Sequence, residues 1–147
     1  KFSLSEEPIV VFNIDTLRKN YIFPDYLSTC DGYLEVFIGE GNHWSFIEPE
    51  SSDSDRVVRT TEKVRISNYC STGLYYFRNQ SLFQEAYKEY LSLPNDQWFS
   101  NELYVAPLYN LLIKRNNDIR YHLIQASDVI FFGTPSEYEV FSNMENY

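Results

Sequence analysis

The most constraining feature of the chain is an apolar run near its start, residues 8–15, which reads PIVVFNID. Continuous rather than alternating apolarity predicts a strand that is buried on both faces, as in a parallel α/β sheet. The polar residues Asn13 and Asp15 come at the carboxyl end of this strand. In open α/β sheets that end faces the ligand-binding crevice. The run therefore predicts an α/β domain with candidate site residues at its strand end.

Length and composition agree with one packed domain. The chain has 147 residues, of which 44% are hydrophobic and 18% aromatic, and this is enough for a single core. Its net charge of −9 argues against nucleic acid or an anionic membrane as a partner. The two cysteines, Cys30 and Cys70, are fewer than a secreted disulfide scaffold of this size usually carries. We expect one domain over residues 1–147, located in the cytoplasm, with no nucleic-acid or membrane partner.

Further segments have the apolar and aromatic composition of strands. A glycine-containing stretch, residues 39–42, predicts a hairpin-like turn between the first two of them. Because several strands follow one another without a helix between them, we expect a mixed central sheet flanked by helices. The predicted strands are residues 33–38, 44–47, 57–63, 72–77, 119–124 and 129–132.

Three helices are indicated by their starts. Ser81 and Gln84 have the spacing of a capping box at the start of the first helix. Pro107 fits only the first turn of the second. The third helix is predicted to begin with Thr134 as the N-cap, Pro135 at the first position and Glu137 in the capping-box position.

Asn13 and Asp15 lie two residues apart, so both side chains point to one face of the strand end. A carboxylate in such a place can hold Mg²⁺, a cation that takes one or two carboxylates together with substrate phosphates. Equally, Asp15 can cap the turn that follows it, as aspartate often does. The spacing alone favours the capping interpretation.

Four more residues are candidates for ligand contact. Lys63 is a suitable point charge for a phosphate and Glu62 can accept from sugar hydroxyls, although an exposed ion pair is the simpler interpretation. Gly73, next to Thr72, suggests either that a ligand or a neighbouring segment approaches the backbone closely or that the strand contains a bulge. Glu102 comes just before the second helix, where it can approach a ligand or favour the positive end of the helix.

Taken together, these stretches resemble the C-terminal part of the sugar-phosphate nucleotidylyltransferase family, most closely its capsule and surface-polysaccharide members. EPIVVFNIDTLR resembles the strand that bears the family's metal-binding Asp, here Asp15. VVRTTEKVRISNYCSTGLYYF resembles the sugar-phosphate motif and the Gly that follows it, here Glu62, Lys63 and Gly73. HWSFIEPE, ELYVAPLYNLLI and FFGTPSEYEVF resemble other elements in the same order.

The resemblance implies a nucleotide-diphospho-sugar transferase-like fold and a cytoplasmic enzyme that joins a nucleoside triphosphate to a phosphorylated sugar or similar acceptor. Asp15 would then hold Mg²⁺, Lys63 would bind the acceptor phosphate, and Asn13, Glu62, Thr72, Gly73 and Glu102 would contact the substrate. The family's Gly-rich nucleotide loop is absent from these residues, so we expect a truncated chain that lacks an N-terminal nucleotide-binding half. Many relatives carry a second metal-binding Asp where this chain has Phe131.

Two other functions agree with the same residues. One is a metal-dependent glycosyltransferase of related fold, although it would not need a Glu-Lys pair for an acceptor phosphate. The other is a non-catalytic acidic interaction module. We also expect that the 147 residues alone are inactive, and that another copy of the chain can cover an exposed sheet edge as a homo-oligomer.

Overall fold

The chain builds a six-stranded mixed sheet with a two-stranded sheet beside it. The computed structural model describes residues 6–144. Its strands are β1 (Ile9–Phe12), β2 (Thr16–Arg18), β3 (Gly32–Ile38), β4 (Ser45–Pro49), β5 (Val57–Glu62), β6 (Tyr69–Phe77), β7 (Ile119–Leu123) and β8 (Val129–Phe131). Its α-helices are α1 (Gln80–Ser92), α2 (Leu108–Lys114) and α3 (Pro135–Ser142).

Strand β6 organises the larger sheet, whose order is β5-β4-β6-β3-β7, with β1 also paired to β6. The β3–β7 pair is parallel, and the other pairs of this sheet are antiparallel. Strands β2 and β8 form the separate antiparallel pair. The mixed sheet is therefore confirmed. The predicted hairpin between the third and fourth strands is wrong, because each of them pairs with β6, which lies between them.

The main core lies between the larger sheet and helices α1 and α2. Tyr109 of α2 is fully buried, and its ring stacks on Phe77 at a centroid distance of 4.7 Å. Its hydroxyl donates to the backbone oxygens of Tyr76 at 2.8 Å and Tyr33 at 3.1 Å, so a buried polar group is satisfied by two neighbouring strands. This core confirms a mixed sheet flanked by helices.

Strand β1 is less buried than its apolar sequence predicts. Val10 and Phe12 are 46% and 37% exposed, which contradicts burial on both faces. Among the described strands β1 pairs with β6 alone, in antiparallel register. An unbroken apolar run indicates that both faces of a strand can be buried. It does not indicate which other segments will pack on those faces. Within residues 6–144, no helix has the length and apolar character needed to cross a bilayer.

The helix starts were predicted with mixed success. Helix α1 begins two residues earlier than the capping-box pattern indicates, and its N-cap is Asn79, whose side chain accepts from the backbone N–H of Leu82 at 2.9 Å. The Ser81 prediction is wrong because an asparagine two residues upstream caps equally well. The capping box of α3 is confirmed, with reciprocal hydrogen bonds between Thr134 and Glu137.

Candidate functional site

A cavity of about 560 Å³ opens where the carboxyl end of β1, the turn into β2, and the ends of β5 and β8 meet. The structure brings together in its walls every site residue predicted from sequence except Glu102. These residues are Asn13, Asp15, Glu62, Lys63, Thr72 and Gly73. Their separation along the chain reaches 60 positions, so the fold and not local sequence creates the cluster.

Asp15 lies in the short connection between β1 and β2, with its carboxylate exposed. Its backbone oxygen accepts from the N–H of Phe132 at 3.0 Å. Its side chain packs over Gly133, where an added Cβ would come 2.5 Å from the Asp15 Oδ2. Within the described chain the carboxylate makes no hydrogen bond, which argues against the turn-capping interpretation. Asp15 is therefore held in place by packing while its oxygens remain available.

The donors around Asp15 fit a metal only in part. The described residues contain no group of three or more His, Cys, Asp or Glu side chains that could surround an ion. Phe131 lines the same cavity, and its ring packs on Trp44 at 4.6 Å. Glu137 also lines the cavity, but its carboxylate accepts from Thr134 in the capping box. Asp15 thus offers one carboxylate, which suits Mg²⁺ only when substrate phosphates complete the coordination.

Glu62 is the last residue of β5 and is 8% exposed. Its carboxylate accepts from the Ser45 hydroxyl at 2.5 Å, and that hydroxyl also lies 3.3 Å from the Tyr75 hydroxyl. Burial raises the pKa of Glu62, while the Ser45 hydrogen bond and the charge of Lys63 act against this rise. The result is a buried carboxylate in the cavity wall, suited to accept hydrogen bonds from a hydroxylated ligand.

Lys63 leaves the strand at once, because its backbone adopts φ = 53°, a left-handed conformation that is unfavourable for a residue with a Cβ. The predicted strand end at Lys63 is therefore one residue too long, and this allows Glu62 and Lys63 to reach the same cavity. The Lys63 Nζ donates to the Tyr104 hydroxyl at 2.8 Å and lies 4.7 Å from the centre of that ring. This hydrogen bond raises the pKa of Lys63, so the ammonium is charged at neutral pH.

Glu102 does not line the cavity. Its carboxylate accepts a short hydrogen bond from the Tyr104 hydroxyl, which in turn accepts from Lys63. Of the described residues that line the cavity, Lys63 is the only Lys or Arg. Glu102 therefore contacts the site only indirectly, through the Tyr104 hydroxyl to which Lys63 is bonded.

Gly73 lies in a β-bulge, since the three residues of β3 from Leu34 to Val36 lie opposite the five residues of β6 from Ser71 to Tyr75. Its φ of 86° is in the region that favours glycine. An added Cβ would lie 2.4 Å from the side-chain amide nitrogen of Asn13. The bulge is therefore confirmed, and the neighbour that closely approaches Gly73 is the Asn13 side chain.

The sequence interpretation missed several residues of the cavity wall. Trp44 packs edge-on against Phe37 at 5.1 Å, and Tyr104 holds Lys63. Both are aromatic residues in a chain rich in them, so composition offered no signal. Such residues are recognised only when the fold shows that their rings border the same space as Asp15 and Lys63.

The raised pKa of Glu62 makes a prediction about stability. In the folded state Glu62 binds a proton more readily than in the unfolded state, so its contribution to stability is lost as pH rises through the raised pKa. Glu62→Gln keeps an acceptor for Ser45 and removes the charge, so it should raise the thermal midpoint at pH 7. The gain should vanish below about pH 4.3, the ordinary glutamate pKa. Thermal unfolding across pH measures this, with exposed Glu139→Gln as the control; an equal gain at pH 4 and pH 7 would contradict it.

Comparison with solved structures identifies similar folds. The nucleoside-diphosphate-sugar pyrophosphorylase from Vibrio cholerae RC9 is 51% identical, with a TM-score of 0.90 over 93% of this chain and 56% of that one. A Bacillus anthracis protein described as a glucose-1-phosphate thymidylyltransferase, in complex with a sucrose, is 15% identical with a TM-score of 0.71, over 98% and 58%. A UDP-glucose pyrophosphorylase complexed with UDP-glucose is 18% identical with a TM-score of 0.72, over 94% and 55%.

No protein-family model matches the chain, and no curated protein matches it. The two more distant structures support the fold alone. The chain spans little more than half the length of each of the three solved structures. Its fold is that of nucleotidyltransferases of the sugar-nucleotide pyrophosphorylase type.

Proposed function

We propose that this chain supplies the metal-binding and acceptor-binding side of a nucleotidyltransferase that joins a nucleoside triphosphate to a sugar phosphate or a similar phosphorylated acceptor. The observation that carries the proposal is the convergence of Asp15, Glu62, Lys63 and Gly73 on one cavity. The 51% identity to a nucleoside-diphosphate-sugar pyrophosphorylase supports the same class. The product would serve capsular or surface-polysaccharide biosynthesis.

The proposed reaction is a displacement at phosphorus. An oxygen of the acceptor phosphate attacks the α-phosphorus of the nucleoside triphosphate, the bond from that phosphorus to the β-phosphate oxygen breaks, and pyrophosphate leaves. Such chemistry depends on positioning and charge neutralisation more than on a protein nucleophile. The cavity residues described above provide both.

Each residue has a role that follows from its environment. The Lys63 ammonium exchanges its hydrogen bond with Tyr104 for one with the acceptor phosphate. The buried Glu62 carboxylate accepts from acceptor hydroxyls, and the Gly73 bulge, with the Asn13 side chain packed against it, forms the cavity wall that orients the acceptor. Asp15 holds Mg²⁺ together with substrate phosphates. When bound there, Mg²⁺ supplies positive charge to the phosphate oxygens.

We further propose that another part of a longer polypeptide holds the nucleotide, so that residues 1–147 alone are inactive. The chain covers only 56% of its pyrophosphorylase relative, which supports this view. The experiment is to purify the complete polypeptide and to measure pyrophosphate release from each common nucleoside triphosphate with a panel of sugar phosphates. Hydrolysis of sugar nucleotides without pyrophosphate release would favour the glycosyltransferase. Failure to bind any sugar phosphate would favour the non-catalytic module.

Lys63 provides a direct test of acceptor binding. A hydrogen bond to a charged group contributes about 1.5–3 kcal/mol, so Lys63→Ala should weaken the binding of glucose 1-phosphate by roughly 10- to 100-fold. Titration calorimetry measures this, with Lys88→Ala on the exposed face of α1 as the matched control. Equal affinities of the two variants would remove Lys63 from the site.

A further inference from the structure

A buried ion pair lies beneath the cavity and is not explained by the proposed reaction. The Arg18 Nε donates to the Glu35 Oε1 at 2.7 Å, and the two side chains are 7% and 0% exposed. Arg18 ends β2 in the two-stranded sheet, whereas Glu35 lies in the middle of β3 in the larger sheet. The pair therefore joins the two sheets through their interior.

The Glu35 end of the pair reaches the β-bulge of the cavity wall. The same Oε1 accepts from the Thr72 hydroxyl at 3.0 Å, and Thr72 is 1% exposed. Thr72 immediately precedes Gly73, so the bulge is bonded to Glu35 where it forms the cavity wall. The Thr72 hydroxyl thus donates its single proton to the buried carboxylate.

The Arg18 end of the pair fastens the two-stranded sheet. The Arg18 Nη1 donates to the backbone oxygens of Asp128 at 2.8 Å and Lys19 at 2.7 Å. Asp128 immediately precedes β8, the strand that leads to Gly133, and Asp15 lies three positions before Arg18. The guanidinium therefore holds the two segments that enclose the Asp15 carboxylate.

The energetics indicate a role other than stability. A buried ion pair often contributes less to stability than well-packed apolar side chains of similar volume, because both charges lose their hydration. Here the Glu35 Oε2 is buried without a hydrogen-bond partner among the described residues, which adds to the cost. Apolar contacts also join the two sheets, with Phe131 packed on Phe37 and Trp44. Apolar contacts constrain orientation only weakly, whereas the four hydrogen bonds of this pair described above fix the relative orientation of the groups that they join.

We propose that Arg18 and Glu35 are positioning residues that set the Asp15 carboxylate in register with the bulge at Thr72–Gly73. The inference rests on the proposed function, since it assumes that metal and acceptor meet in this cavity. Misplacement by about 1 Å can lower a rate by about 100-fold. Loss of the pair therefore lowers kcat while each substrate still finds its own contacts, so KM changes little.

The test replaces both charges together, because removal of one would leave the other buried and unpaired. In the complete polypeptide, Arg18→Met with Glu35→Met should keep or raise the thermal midpoint, lower kcat by 10-fold or more, and change KM for the sugar phosphate by less than about threefold. The control is Arg59→Met with Glu48→Met, which removes an exposed ion pair of the same chemistry on β5 and β4. A folded double variant with the wild-type kcat would overturn the proposal.

A second variant keeps the test decisive if the double variant does not fold. Thr72→Val preserves volume and the ion pair but removes the link to the bulge, and it should lower kcat at nearly unchanged KM. An unchanged kcat in Thr72→Val would overturn the proposal.

Hydrogen exchange separates this inference from the proposed reaction. The β2 and β8 amides, residues 16–18 and 129–131, should exchange at least 10-fold faster in the double variant, while those of α2 stay unchanged. If the wild-type polypeptide releases no pyrophosphate, the proposed function fails, and the exchange data still decide whether the pair holds the two sheets in register. Unchanged exchange in β2 and β8 would overturn that role.

Discussion

Replacement of Asp15 by asparagine should lower pyrophosphate release from the complete polypeptide by roughly 100-fold or more. Among residues 6–144, the Asp15 carboxylate is the exposed acid of the cavity that makes no hydrogen bond, and Phe131 and the capping role of Glu137 leave it without an acidic partner there. Charge stabilisation at a phosphoryl group contributes several kcal/mol, and each 1.36 kcal/mol is tenfold in rate. Activity measured across a Mg²⁺ titration tests this, and Asp53→Asn in an exposed loop is the control.

A second variant displaces the Asp15 carboxylate without replacing Asp15 itself. Gly133→Ala would place a Cβ 2.5 Å from the Asp15 Oδ2, so the carboxylate must move. Gly133 does not need a left-handed backbone, so the variant should fold with little loss of stability. We expect its Mg²⁺ requirement to shift upward and its rate to fall, in the direction of Asp15→Asn. Full activity in Gly133→Ala together with an inactive Asp15→Asn would show that the position of the carboxylate does not matter.

The second large effect is expected at the β-bulge. Gly73→Ala should lower the free energy of unfolding by about 2 kcal/mol or more, because a left-handed residue with a Cβ costs about 1–2 kcal/mol and the new Cβ would also collide with Asn13. The displaced Asn13 lies beside Asp15, so acceptor binding and rate should fall as well. Urea denaturation and glucose 1-phosphate titration measure the two effects.

Gly41 offers a matched control for this variant. Its φ of 87° equals that of Gly73 within 1°, but an added Cβ would meet no atom of Asn13; it would approach the His43 ring at 3.0 Å and the Trp44 indole nitrogen at 3.9 Å. Gly41→Ala therefore carries the same backbone cost without the collision at Asn13. The difference between the two alanine variants isolates the collision, and equal losses would show that the approach of Asn13 is not important.

The predictions from sequence succeeded where short-range chemistry decides the outcome. The α3 capping box is confirmed because its two partners are three residues apart and bond reciprocally. The mixed sheet and most strand positions follow from composition and turns. The candidate site residues Asp15, Glu62, Lys63 and Gly73 came from the order of motifs, and in the structure they line one cavity.

Contacts between distant segments decided which strands pair and how deeply each strand is buried. The first strand has an apolar sequence but an exposed outer face, and the hairpin expected after Ile38 is replaced by pairing of both strands with β6. Local sequence does not encode which of several apolar strands becomes the neighbour. The pairing depends on burial summed over the whole sheet.

By itself, the sequence determined that an acid, a Glu-Lys pair and a glycine occur in an order typical of sugar-nucleotide chemistry. Only the tertiary structure decided how they work together. It turned the backbone of Lys63 so that both members of the Glu-Lys pair face the cavity, and it placed Glu102 behind Tyr104. It also buried Arg18 against Glu35, a contact across 17 residues that no sequence pattern marks. The reason is that the role of a charged side chain depends on its burial and on its hydrogen-bond partners, and both are set by contacts between distant segments.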